Sequence, residues 1–200
     1  AKLDALAGAD TILASNTSSL LVSEIANRCK HPERVGGMHF FNPVPLMKLV
    51  EIIPGVRTAP WVTDALMQIA RRMTREPVLC TDSPGFIVNR IGRAFVPESS
   101  RILSDGIAEH YEIDRIMCGA PGFKLGPFGL LDLVGSDVSI AVMESIWGQY
   151  FNEPMYAPQQ VLKPRLDAGM YGQKTGLGWY TYKDGKRVEP GSGERGLVAV

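Results

Sequence analysis

The sequence predicts an α/β segment followed by an all-α segment. Three observations carry this prediction. Short apolar runs alternate with helical patterns as far as residue 82. The texture changes at Asp82-Ser83-Pro84-Gly85, where proline and glycine punctuate the chain. No convincing strand pattern appears between residues 86 and 176. The 200 residues, 45% hydrophobic and 21% charged, can bury a core without metals or disulfides.

Residues 1–8 put Leu3 and Leu6 at helical spacing and end at Gly8, a helix stop. Thr11-Ile12-Leu13-Ala14 reads as a buried strand, and Asn16-Thr17-Ser18-Ser19 as a turn offering an N-cap. Residues 20–28 read as a helix with Leu21, Ile25 and Ala26 facing inward, and 36–41 as the next strand. Strand, helix, strand in this span is the βαβ unit of a parallel sheet. Pro43 and Pro45 then separate this strand from another over 46–53. Thr63 is expected to cap a helix over 64–74, with Leu66, Ile69, Ala70 and Met73 on one face, before a short strand at 77–80. From Phe86 the period is helical through Ile87, Ile91, Phe95 and Ile102, with Pro97 expected to kink or split the helix. Further helices are expected near 112–118, 127–134, 137–151 and 158–168. The expected divisions are therefore 1–82, 83–182 and a glycine- and charge-rich tail or linker over 183–200.

Lys+Arg equals Asp+Glu, 21 against 21, so the chain has no overall pull on nucleic acid or anionic lipid, and neither partner is expected. No apolar run reaches the ~18 residues of a membrane span. Cys29, Cys80 and Cys118 are odd in number and lack CxxC spacing, which favours a reducing, cytoplasmic setting and no metal site. The chain opens at Ala1 within a helical pattern, without signal peptide or initiator Met, and reads as a fragment.

Three features carry chemistry. His39 and Glu51 lie equally far from Pro45, so a turn centred there sets them opposite one another. A carboxylate facing an imidazole fixes its tautomer and stabilises the imidazolium, which a general base on a hydroxyl needs. The same spacing also fits a strand histidine paired incidentally with a surface glutamate. Ser15-Asn16-Thr17-Ser18-Ser19 directly follows a strand, where ligands bind in open parallel sheets, although a capped helix start has the same residues. Asn89 sits among Phe86, Ile87, Val88 and Ile91, so its amide needs a partner, either a substrate oxygen or a backbone carbonyl.

In order and spacing, ILASNTSSL, GGMHFFNPVPLMKLVEII, DSPGFIVNRI, GFKLGPFGLLDLVG and YGQKTGLGWYTY resemble the L-3-hydroxyacyl-CoA dehydrogenases, over residues 1–182. The resemblance implies the second half of a Rossmann-type NAD-binding domain, followed by a helical domain for dimerisation and substrate. It implies His39 as catalytic base toward the 3-hydroxyl of an acyl-CoA, Glu51 as its partner, and Ser18 and Asn89 at the reacting centre. It further implies Ser18, Asn42 and Lys174 on the NAD side, a homodimer through the helical domain, and a role in fatty-acid β-oxidation or related catabolism.

Other motif residues have plainer readings: Pro127 as a helix opener, Asp132 as a structural cap or pair, and Trp147, Trp179 and Tyr180 as core or interface. His31 and His110 are assigned no role. Two departures from the family pattern stand out. The dinucleotide fingerprint, GxGxxG after a first strand with an acidic residue farther on, is absent, and no early glycine cluster precedes a helix in that pattern, so the pyrophosphate has no loop here and the chain alone is expected to be inactive. In Ile91–Glu98 the proline falls farther from the asparagine than usual. Two other readings fit the motifs: a non-catalytic dimerisation or acyl-CoA-binding module, and a related hydroxyacid dehydrogenase of the same architecture.

Overall fold

The computed structural model describes residues 1–188, which form two units meeting in sequence at Gly92 and Arg93. The first unit opens with α1 (Lys2–Leu6), β1 (Leu13–Ser15) and α2 (Val22–Ala26). It continues with β2 (Val35–Phe40), β3 (Leu49–Pro54), α3 (Pro60–Arg72) and β4 (Glu76–Leu79). The sheet order is β1-β2-β3-β4. β1 and β2 are parallel, as the helix between them requires, and so are β3 and β4 across α3. β2 and β3 are antiparallel because the short segment between them can only turn the chain back. Partial Rossmann-type order is thus present, with one antiparallel pair inside it.

Helices cover both faces of this sheet. Val22, Ala26, Val35, Ile53, Cys80 and Phe86 cluster on the α2 side, and Met38, Val50, Ile52, Val62, Leu66 and Ala70 on the α3 side. Gly36 and Gly37 permit the close approach. A Cβ on Gly36 would stand 2.7 Å from Leu66 Cδ1, and one on Gly37 2.8 Å from Val22 Cγ2. The period-2 alternation of β2 therefore sends residues 35, 37 and 39 toward α2. His39 ends that row, and Glu51 and Ile53 share its face from β3.

Several sequence expectations shift here. α2 buries Val22 and Ala26, leaving Leu21 and Ile25 half-buried. It begins at Val22 because the Asp82 carboxylate accepts the amides of Val22 and Ser23, both at 2.8 Å. α3 starts at Pro60, a favoured first helical residue, so Thr63 is not its cap. That start puts Val62, Leu66 and Ala70 on the sheet and leaves Ile69 and Met73 on an outer stripe, 40% and 45% exposed. Leu3 and Leu6 project outward from α1. Asp4, between them in the sequence, is buried instead and pairs with Arg34 at 2.7 Å.

α4 (Val88–Ser104) begins the helical part and runs unbroken through Pro97. Ser99 and Ser100 donate their hydroxyls to the Phe95 and Val96 carbonyls, both at 2.8 Å, in the same stretch. α5 (His110–Gly119), α6 (Pro127–Val134), α7 (Ser136–Gln149) and α8 (Lys163–Asp167) follow. Their core gathers Val96, Ile113, Phe128, Leu131, Met143, Trp179 and other buried apolar side chains.

Two aspartates tie the last motifs together. Asp114 accepts the Phe128 and Gly129 amides at 2.9 and 2.7 Å, capping α6, and the Tyr180 hydroxyl at 2.9 Å. Asp132 accepts the Trp179 and Tyr180 amides at 2.9 and 2.8 Å and the Tyr182 hydroxyl at 3.2 Å. Burial raises both phenols above their ordinary value. Residue 183 does not begin a structureless tail. β5 (Thr181–Lys183) and β6 (Lys186–Val188) form a hairpin, turned at Asp184-Gly185 with φ of 51° and 74°. Residues 189–200 of the expected tail lie outside the described residues.

Candidate active site

The β2–β3 register sets His39 opposite Glu51, as their equal distance from Pro45 predicts. Directly opposed residues of an antiparallel pair share a face. His39 Nδ1 lies 2.7 Å from Glu51 Oε2, with the two side chains 4% and 1% exposed. The other carboxylate oxygen, Oε1, accepts the amides of Ile87 and Val88 at 3.0 and 2.9 Å. Burial pushes the Glu51 carboxyl upward, but the bonds from His39, Val88 and Ile87 outweigh it and hold the group below its ordinary value. Glu51 is therefore an ionised acceptor at neutral pH, and Nδ1 carries the imidazole proton.

Nε2 is left as the acceptor. The Ser18 hydroxyl donates to it at 3.1 Å. Ser18 is exposed, so the Nε2 edge lies beside an exposed hydroxyl while the imidazole itself is 3% exposed. Phe41 and Phe86 enclose that ring, with centroids 4.6 and 5.7 Å away. Asn89 Nδ2 donates to the Ser18 backbone carbonyl at 3.1 Å, so its partner here is a backbone oxygen. Asn16 Oδ1 accepts the Phe40 amide at 2.9 Å and ties the segment after β1 to the end of β2.

His39, Glu51, Ser18 and Asn89 are thus gathered at one end of the sheet. Asn42 follows β2 and is exposed. Lys174 belongs to the second unit, where its ammonium pairs with Asp137 at 2.6 Å. No residue pattern signals the Ile87 and Val88 amides or the phenylalanine walls. Backbone donors carry no residue-type signal, and Phe41 and Phe86 read as ordinary core.

Amide and hydroxyl groups at the carboxyl ends of parallel β1 and β2 fit the polar nicotinamide end of a dinucleotide. Asn16 and Ser18 follow β1, and Asn42 follows β2. Among the described residues no three His, Cys, Asp or Glu group as a metal site, and no helix is long and apolar enough to cross a membrane. Burial and the nearby Glu51 charge push the Cys80 thiol up to about 12, so it is no nucleophile.

This arrangement has known counterparts. Residues 1–83 match the family model "3-hydroxyacyl-CoA dehydrogenase, NAD binding domain", and residues 85–182 match "3-hydroxyacyl-CoA dehydrogenase, C-terminal domain". A 3-hydroxybutyryl-CoA dehydrogenase of Clostridioides difficile is 42% identical over 180 residues, covering 90% of this chain and 64% of the relative. A 3-hydroxyadipyl-CoA dehydrogenase of Escherichia coli is 40% identical over 173 residues, covering 86% of this chain and 36% of the relative. The crystal structure of an (S)-3-hydroxybutyryl-CoA dehydrogenase from Ralstonia eutropha superposes with a TM-score of 0.87 at 37% identity, over 92% of this chain and 64% of that one.

The chain belongs to the 3-hydroxyacyl-CoA dehydrogenase family, whose members are NAD-dependent oxidoreductases. It spans between 36% and 64% of the length of these two curated relatives.

Proposed function

We propose that the protein oxidises the 3-hydroxyl of an L-3-hydroxyacyl-CoA to a ketone, with His39 as general base and Glu51 as its partner. The observation that carries this is the His39 imidazole itself. Nδ1 is held on Glu51 at 2.7 Å, while Nε2 faces the exposed Ser18 hydroxyl at 3.1 Å. When bound, NAD supplies the acceptor for the hydride leaving C3. His39 Nε2 takes the hydroxyl proton, and Glu51 supplies the counter-charge for the imidazolium that results. With substrate bound, the Ser18 hydroxyl turns its single proton from Nε2 to the substrate oxygen and steadies that oxygen beside Nε2. Asn89 holds the Ser18 backbone through its side-chain amide, and its place at the reacting centre is assigned on family resemblance. Asn42 and Lys174 are assigned to the cofactor side on family resemblance.

On family resemblance we assign the protein to fatty-acid β-oxidation or related catabolism, and a homodimer through the helical part completes the proposal. The three cysteines are free, which fits a reducing compartment such as the cytoplasm. The 200 residues contain no GxGxxG that follows a first strand and opens a helix to hold the pyrophosphate, so we propose that they do not turn over substrate alone. Micromolar binding of NADH to this chain in calorimetry would overturn that point. The test of the main proposal is turnover of an L-3-hydroxyacyl-CoA by the full-length protein and its His39→Ala variant. A kcat that survives His39→Ala unchanged would refute His39 as base.

A further inference from the structure

The segment that feeds Glu51 its two amides has an unusual backbone. Gly85 and Phe86 both have positive φ, 78° and 48°. At glycine this is unremarkable, but Phe86 carries a Cβ and a ring, and a bulky residue in this region is an outlier. Such strain persists only where the surroundings over-determine it.

Here they do. Asp82 is bound to the amides of Val22 and Ser23, and the Phe86 amide donates to the Ser83 carbonyl at 2.9 Å. The Phe86 side chain is 3% exposed and clusters with Val22, Val35 and Ile53. Held at both ends, the chain turns through two successive left-handed residues. It emerges with the next two amides, Ile87 and Val88, converging on one oxygen of Glu51.

We propose that Phe86 is a positioning residue for the His39–Glu51 pair, its left-handed backbone aiming the Ile87 and Val88 amides at Glu51 Oε1 so that Oε2 alone remains for His39 Nδ1. The consequence is a fixed tautomer. With Oε1 occupied by two donors, the carboxylate cannot rotate away, Nδ1 keeps its proton and Nε2 stays free to accept one. The Phe86 ring adds a wall beside the imidazole, but the backbone conformation sets the tautomer. This inference rests on the reading of His39 as base for its functional meaning; the structural claim itself concerns only the imidazole proton.

The test is nitrogen-15 NMR of the imidazoles in the whole 200-residue chain, which reads the tautomer without turnover. Wild-type protein should show His39 protonated at Nδ1, with a hydrogen-bonded proton in slow exchange. Phe86→Gly adopts positive φ without strain, and it should keep that signal even though it loses packing and melts earlier. Phe86→Ile keeps an apolar side chain in the core, but its branched Cβ resists the left-handed region, and the Nδ1 proton signal should be lost or merge into fast tautomer exchange. A folded Phe86→Ile that retains the wild-type signal would overturn the proposal, and so would a folded Phe86→Gly that loses it. Either result leaves His39 as base untouched. Loss of the base assignment in a turnover assay would leave the imidazole spectra unchanged.

Discussion

His39 and Glu51 face each other across two antiparallel strands, 2.7 Å apart between Nδ1 and Oε2, and the carboxylate's other oxygen is saturated by two backbone amides. A carboxylate so bound is stabilised as an ion in the folded chain. Its folded value lies below the ordinary 4.5 despite burial, so its contribution to stability is complete above pH 4.5 and lost as the pH falls through the folded value. Asp132 has the opposite sign. Burial outweighs its three hydrogen bonds and raises it above 3.8, so its contribution is present below 3.8 and lost as the pH rises through the folded value. Urea melts across this acid range should show the stability gap between wild type and Glu51→Gln narrowing as pH falls. The gap to Asp132→Asn should narrow as pH rises. Parallel, pH-independent gaps would contradict both.

Asp82 should matter for stability through α2. It bonds the first two amides of that helix, at 2.8 Å each, from 60 and 59 residues away in sequence. Asp82→Ala should cost about 0.5–2 kcal/mol, the usual loss of an N-cap, and Asp82→Asn somewhat less, since its one oxygen keeps one of the two amides while its NH2 faces the other. Thermal melting of the three proteins checks this, and equal losses for Ala and Asn would refute the capping role.

Two glycines should respond in opposite directions to the same change. Gly172 has φ of 103°, and an added Cβ would lie 2.3 Å from the Asp132 carbonyl oxygen. Gly172→Ala should therefore destabilise by more than ~1 kcal/mol. Gly148 lies in α7 with nothing within 4 Å of such a Cβ. Gly148→Ala should gain about 0.4–1 kcal/mol, mainly by restricting the unfolded chain. Denaturant midpoints decide both, and a gain at Gly172 would show that the turn can rearrange.

Much of the first unit could be read from residue types. The two prolines around Val44 announced the reversal that pairs His39 with Glu51, and βαβ spacing announced the parallel β1–β2 pair. Pro60 was also a legible helix start, though Thr63 competed with it as a cap. Asp184-Gly185 was a strong hairpin signal hidden by the charge around it. Other features had no sequence signal. The convergence of the Ile87 and Val88 amides depends on φ at Phe86, and Asp114 and Asp132 look like any helical carboxylates until the chain folds back to them. The spacing about Pro45 pointed to His39 with Glu51, whereas the roles of Ser18, Asn89, Asn42 and Lys174 rest on resemblance, and geometry brings only Ser18 and Asn89 of these four to the His39–Glu51 pair.

The last prediction concerns how His39 and Glu51 act together. In the full-length protein, Glu51→Gln nearly conserves shape, and its amide oxygen can keep the two bonds from Ile87 and Val88. Its NH2 group then faces His39 Nδ1, setting donor against donor. The imidazole must surrender the Nδ1 proton to Nε2, the position that has to accept from substrate, and the imidazolium also loses its counter-charge. General-base contributions run to ~10²–10⁴-fold, and a loss of that order is expected. It should fall on kcat more than on KM, since the charge develops only as the proton moves. His39→Ala should cost at least as much, because it removes the base itself. The double variant should lose little beyond His39→Ala alone, since Glu51 acts through an imidazole that is no longer there. Steady-state kinetics on the four proteins measures this coupling. If the two losses multiplied instead, Glu51 would be acting on the reaction by a route independent of His39, and the pairing across β2 and β3 would be structural only.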